Sequence, residues 1–128
     1  MPAAKAPFSY AIIRVVPRVE RGERLNAGVV LFSRPRRFLA ARVGLDAERL
    51  RAIAPDLEPA AVCAHLDAIE RIAAGEADAG PIATMDQSER FGWLVAPSST
   101  MIQPSRVHTG LTEDPAAQLE RLYRELVA

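Results

Sequence analysis

Between Glu89 and Pro115 the chain reads E-R-F-G-W-L-V-A-P-S-S-T-M-I-Q-P-S-R-V-H-T-G-L-T-E-D-P. Arg90, Ser98, Ser99, Thr100, Gln103, Ser105, Arg106, His108, Thr109 and Thr112 stand there between apolar anchors, while Pro and Gly fix the path of the chain. That is the composition of a site. Ser98, Ser99, Thr100, Ser105 and Thr109 surround His108, and Glu113 and Asp114 follow, so the stretch holds the residue types of a nucleophile, a base and an orienting carboxylate. A small hydrolase or transferase built here would use His108 as its base, although a triad is defined by geometry and not by neighbours in sequence. The same residues suit two other roles. His108 and Thr109 can bond the backbone and hold the loop against the last helix. Alternatively, Gln103, Arg106, His108 and the free N–H groups at the start of that helix can form an anion or peptide site.

Other chemistries find little material. Cys63 is the single cysteine, and with only two histidines the chain offers no converging ligand set, so no metal is expected. There is no P-loop, no G-x-G-x-x-G and no other cofactor signature. A lone cysteine, the absence of an apolar run near the ~20 residues that span a bilayer, and a start without a signal-peptide core lead us to expect a soluble cytoplasmic protein.

The formal charge is zero but unevenly spread. Through Arg42 nine basic residues meet two acidic ones; beyond it seven meet fourteen. A basic N-terminal half can serve nucleic acid, but strong general binding goes with a clear basic excess, so pairing or solvation within one domain is the favoured reading.

The elements that must position these residues follow from periodicity. Phe8 to Val16 reads as a strand with Phe8, Tyr10, Ile12 and Arg14 on one face, and Arg14 is the exception on a mostly apolar strand. Gly22 turns a charged loop into a second strand, Leu25 to Phe32, where Gly28 suggests a bulge or a close backbone approach and Asn26 must find partners. A third strand spans Phe38 to Val43. Asp46 caps a short helix ended by Pro55, and the clearest helix runs from near Pro59 to Ala74, with Gly75 as its C-cap and Val62, Leu66, Ile69, Ile72 and Ala73 inward. On it Cys63 reads as a small core residue and His65 as exposed. Ser88 is the expected cap of a short helix with Phe91, Leu94 and Val95, the favoured reading of a stretch, Phe91 to Val95, that taken alone suits a strand equally well; Thr100 to Gln103 suits a strand. Asp114 caps the last helix, with Leu119, Leu122, Tyr123 and Leu126 inward and Glu120–Arg124 and Arg121–Glu125 pairs on its wet face.

The front stretch F-S-Y-A-I-I-R-V-V-P-R-V-E-R-G-E-R-L-N-A-G-V-V-L-F and the back stretch R-F-G-W-L-V-A-P-S-S-T-M-I-Q-P-S-R-V-H-T-G-L-T-E-D-P together resemble a bacterial family named as domain of unknown function 3037. Arg14, Pro17, Arg21, Glu23, Asn26 and Gly28 match its front motif. Ser99, Thr100, Gln103, Pro104, His108, Thr109, Gly110 and Pro115 match its back motif. Arg106 departs from the pattern, where members often carry Pro. The resemblance implies no activity; it does imply a partner resembling the persistence-type kinases.

One α+β domain over residues 1–128 is expected, an antiparallel sheet with helices packed on it and residues 1–7 as a flexible lead. Function is open among three readings: a non-catalytic binding module docking a protein partner, the His108 enzyme, and the nucleic-acid binder. For the first, Arg14, Arg21, Glu23 and Asn26 from the front hairpin converge with Thr100, Gln103, His108 and Thr109 from the back loop on one face, forming a bipartite site for a carboxylate or phosphate.

Overall fold

The structure is a computed structural model that describes residues 4–98 and 100–128. Apolar, β-branched runs give strands β1 (Ala6–Val15), β2 (Leu25–Ser33) and β3 (Phe38–Val43). Four helices follow the 3.6-residue stripes: α1 (Ala47–Ile53), α2 (Pro59–Ala74), α3 (Gln87–Leu94) and α4 (Pro115–Leu126). Two more strands, β4 (Ile102–Pro104) and β5 (His108–Thr112), lie between α3 and α4. The five-stranded sheet is antiparallel in all its pairings. β2 joins β3 to one edge of β1, and the other edge of β1 is shared, β4 pairing with Ile13–Val15 and β5 with Ala6–Tyr10. β1 therefore begins two residues earlier than the periodicity suggests, Ala6 and Pro7 standing opposite Thr112 and Leu111.

Both faces of the sheet are covered. On one, Ala11, Ile13, Val15 and Val30 pack with Leu50 of α1, Val62 and Leu66 of α2, and Phe91 and Leu94 of α3. On the other, Phe8, Val29 and Leu31 pack with Leu119 and Leu122 of α4. α4 lies across β2 and β3 and reaches Phe8 at the start of β1; farther along the same face Ile12 is buried, and Tyr10, Arg14 and His108 are half-buried.

Several expectations hold at residue level. Asp46 and Asp114 accept hydrogen bonds from first-turn N–H groups of α1 and α4, and Gly75 ends α2 at φ 76°. Others are corrected. The α3 cap is Asp86, whose carboxylate accepts from Glu89 N at 2.8 Å, so the helix starts before Ser88. Cys63 is exposed, because Val62 and Leu66 already fix the inward stripe and Cys63 sits one helical step off it. Glu120 pairs with Arg42 of β3 at 3.3 Å instead of with Arg124, drawn by a guanidinium that also rests 4.4 Å from the Tyr123 ring centroid. The stretch 108–112, expected to be loop, is β5.

Leu66 is 2% exposed beneath α2. Leu66→Ala is expected to cost about 2 to 5 kcal/mol through the cavity it opens. Asp114→Ala is expected to cost about 1 kcal/mol through the lost cap. Chemical denaturation checks both, and an unmoved midpoint for either would contradict the packing or the cap.

Candidate functional site

Strand alternation gives β1 two unlike faces. Its odd residues from Ala11 to Val15 are buried under α2, and its even residues Tyr10, Ile12 and Arg14 look toward the α4 side. Opposite Arg14, β2 carries a bulge. Ile13 pairs with Gly28, but Arg14 pairs with Asn26, so Ala27 is the extra residue and Asn26 is turned onto the face of Arg14. Gly28 is required where it stands, since a Cβ there would meet Val43 Cγ1 at 2.8 Å. Across the other edge, Arg14 pairs with Gln103 of β4. Asn26, Arg14 and Gln103 thus form one rung across three strands.

β5 continues that face. Tyr10 pairs with His108, their rings tilted with centroids 5.2 Å apart, and Phe8 pairs with Gly110, where a Cβ would meet the Phe8 ring at 2.8 Å. His108 lies on the same face as Arg14, four residues along β1, or roughly 13 Å at the usual rise. The splice between β4 and β5 is made by Ser105. Its N–H donates to Ile12 O at 2.7 Å, its Oγ accepts from Ile12 N at 2.8 Å, and the same hydroxyl donates to Arg106 O at 2.8 Å. Ser105 is 7% exposed and its hydroxyl is committed to the backbone. Among the described residues no hydroxyl is hydrogen-bonded to His108; Ser99 lies outside them.

The remaining expected site residues go elsewhere. Arg21 and Glu23 pair with each other at 2.5 Å in the exposed β1–β2 loop. Thr100 donates to Ile102 O at 3.0 Å and belongs to the entry of β4. Thr109 pairs with Ser9 and so points to the opposite face from His108. Two of the three residues on the rung also do structural work. Asn26 Nδ2 donates to Leu126 O at 3.0 Å, tying β2 to the last turn of α4, and Gln103 Nε2 donates to Thr100 O at 2.8 Å.

Arg14 is different. Its Nε is buried without a hydrogen-bond partner, and among the described residues its guanidinium takes part in no ion pair. Burial, and secondly the charge of nearby Arg24, hold its pKa below the ordinary arginine value, though an arginine stays protonated in proteins. Arg90 offers the control, because its Nε is also buried and unpaired. There, however, the other two nitrogens donate to Met85 O and Ala73 O, which makes Arg90 a strut between α2 and the chain before α3. Among the described residues Arg14 has no such employment, and the positive charge of Arg24 acts on it. Arg24 and Tyr10 escape a reading by motif. Alternation alone put Tyr10 on the face of Arg14, whereas nothing local marks Arg24.

A separate apolar groove of about 490 Å³ lies on the α2 side of the sheet, lined by Ile13, Ile69, Ile72, Leu94 and Ile102, with Trp93 and His65 at its wall. Trp93 is 51% exposed. The groove and the Arg14 rung are on opposite faces and do not form one site. Among the described residues no group of three or more His, Cys, Asp or Glu could hold a metal ion, and no helix is long and apolar enough to cross a membrane.

A family model described as Protein of unknown function (DUF3037) matches residues 10–127, which takes in every residue of the rung and the strip beside it. No curated protein and no solved structure matches the chain.

The rung makes a prediction in which neighbours behave oppositely. Asn26→Ala should cost about 1 to 3 kcal/mol, because it deprives the α4 terminus of its donor. Arg14→Met should melt at or above the wild-type temperature, since it removes a buried N–H that nothing satisfies. Thermal melts of the two variants decide it, and a destabilised Arg14→Met would make Arg14 a strut like Arg90.

Proposed function

The chain therefore belongs to that family, whose description carries no activity, and we propose from the site itself that it is a non-catalytic binding module docking a protein partner. The observation that supports this is the Arg14 guanidinium, half-buried with an unpaired Nε and with Arg24 as a second cation. A planar fork with free donors is the group that recognises a carboxylate or phosphate in two-pronged fashion. Small-molecule sites are concave and bury most of their ligand, whereas Tyr10, His108 and Arg14 form a half-exposed strip along β1 and β5 with Ile12 buried between them. A strip of that shape suits a polypeptide segment that brings an acidic or phosphorylated side chain to Arg14 and an apolar one to the Tyr10–His108 rings. A persistence-type kinase is the partner class that the resemblance in sequence implies. The cytoplasm is where we place the encounter, because a single exposed Cys63 fits a reducing compartment.

The test is capture by the tagged protein at its native expression level. Wild type should retain one stoichiometric protein, Arg14→Met should lose it by about tenfold or more, and Arg14→Lys should recover only part of the capture. Arg21→Ala, whose side chain pairs only within its own loop, should capture as wild type does. Undiminished capture by folded Arg14→Met would overturn the reading. So would turnover abolished by His108→Ala, or nucleic-acid binding that falls steeply with salt.

A further inference from the structure

The sheet has three edge segments among the described residues, and on two of them side chains take up outward backbone groups. At the end of β3, Val43 N donates to Glu70 Oε2 at 3.0 Å and Val43 O accepts from Arg42 Nη1 at 3.3 Å. At β4, Ile102 O accepts from Thr100 Oγ1 at 3.0 Å, and Pro104 has no N–H to offer. Such devices are how sheets keep their edges from pairing with another chain. On β5 itself, among the described residues, no side chain takes up an outward group; just past its end Glu113 O accepts from Arg36 Nη1 at 3.2 Å.

Its outward groups can be read from the register. Pro7 O accepts from Ser33 Oγ on the β2 side and Ile12 N donates to Ser105 on the β5 side, so the backbone groups of the even residues of β1 point toward β5. Their partners His108, Gly110 and Thr112 therefore point inward, and the N–H and C=O groups of Thr109 and Leu111 point out from the edge. Beside these open groups sit Leu111, 63% exposed, and Val107, 41% exposed.

We propose that this edge pairs with β5 of a second copy of the chain, antiparallel about Gly110, making one continuous ten-stranded sheet. In that register Thr109 of each copy forms a bonded pair with Leu111 of the other, and the outward groups of both strands are satisfied together. The ends complement each other as well. Arg106, exposed at the start of β5, is brought to the Glu113–Asp114 end of the other copy, and among the described residues neither Arg106 nor Glu113 has an ion pair within its own chain. A formal net charge of zero leaves little long-range repulsion between copies. The pairing is independent of the Arg14 reading.

Sedimentation velocity across a concentration series tests it with the full chain. Wild type should be a dimer at micromolar concentration. Thr109→Pro removes only an outward N–H, and Leu111→Lys puts a charge at an already exposed position, so both should stay folded by circular dichroism and raise the dimer dissociation constant about tenfold or more. Arg106→Glu should weaken the dimer and Arg106→Glu with Glu113→Arg should restore it. A monomeric wild type, or a dimer indifferent to Thr109→Pro and Leu111→Lys, would overturn the proposal.

Discussion

Ser105 holds two strands to one. β1 must be paired along both edges to lie in the middle of a sheet, and its second edge is covered by pieces of chain that no single straight strand could supply. Ser105 satisfies both backbone groups of Ile12, the carbonyl through its N–H and the N–H through its hydroxyl, at the point where β4 stops and β5 begins. Without that splice a buried stretch of β1 would carry unpaired groups, each costing about 1 to 3 kcal/mol. It also fixes the β4 register. Gln103 lies opposite Arg14 because Ser105 is opposite Ile12, and one extra residue between the two strands then brings His108, not Val107, opposite Tyr10.

That dependence explains which parts of the molecule were legible from sequence. β3 and α2 read correctly to the residue because each obeys a single period and is bounded by punctuation, Pro59 and Gly75 for the helix. The bulge at Asn26–Gly28 was likewise announced by a glycine in an apolar strand. β5 was not visible. H-T-G-L-T has weak strand propensity, and its glycine is dictated by the Phe8 ring, a contact one hundred residues away in the chain. Missing β5 blurred the site as well, since whether His108 and Thr109 share a face is a question about strand alternation that a loop does not pose. Cys63 and Glu120 went astray for a similar reason, because tertiary partners override local pattern. Leu66 and Val62 leave no room inward for Cys63, and Arg42 offers Glu120 a better partner than its own helix does.

Polar residues in the two motifs separate into struts and a candidate site only when their bonds are traced. Asn26, Gln103, Ser105, Thr100 and Arg90 are each spent on a backbone group far from or just beside them, and each bond fixes the position of a strand or a helix end. A motif rich in Asn, Gln, Ser and Thr therefore signals, in large part, a sheet assembled from short and interrupted strands. What stands apart is Arg14, one residue from the end of the best-paired strand, with fewer partners among the described residues than any strut around it.

The uneven charge of the chain leads to the same place. Of the arginines that make the front half basic, Arg21 meets Glu23, Arg42 meets Glu120 and Tyr123, Arg34 reaches Ser88, and Arg36 reaches the carbonyls of Ala4 and Glu113. The contacts of Arg42, Arg34 and Arg36 with Glu120, Ser88 and Glu113 stitch the hairpin to the back half, so much of the apparent basic excess is spent within the fold. Arg14 and Arg24 go the other way. The charge of Arg24 and the partial desolvation of Arg14 both disfavour the Arg14 cation in the free chain, and so oppose folding unless something offsets them. An anionic group brought by a partner would do so, gaining from the second cation as well as the first. On the docking proposal, the rung's cost in the free chain and its use in the complex would come from the same pair of side chains.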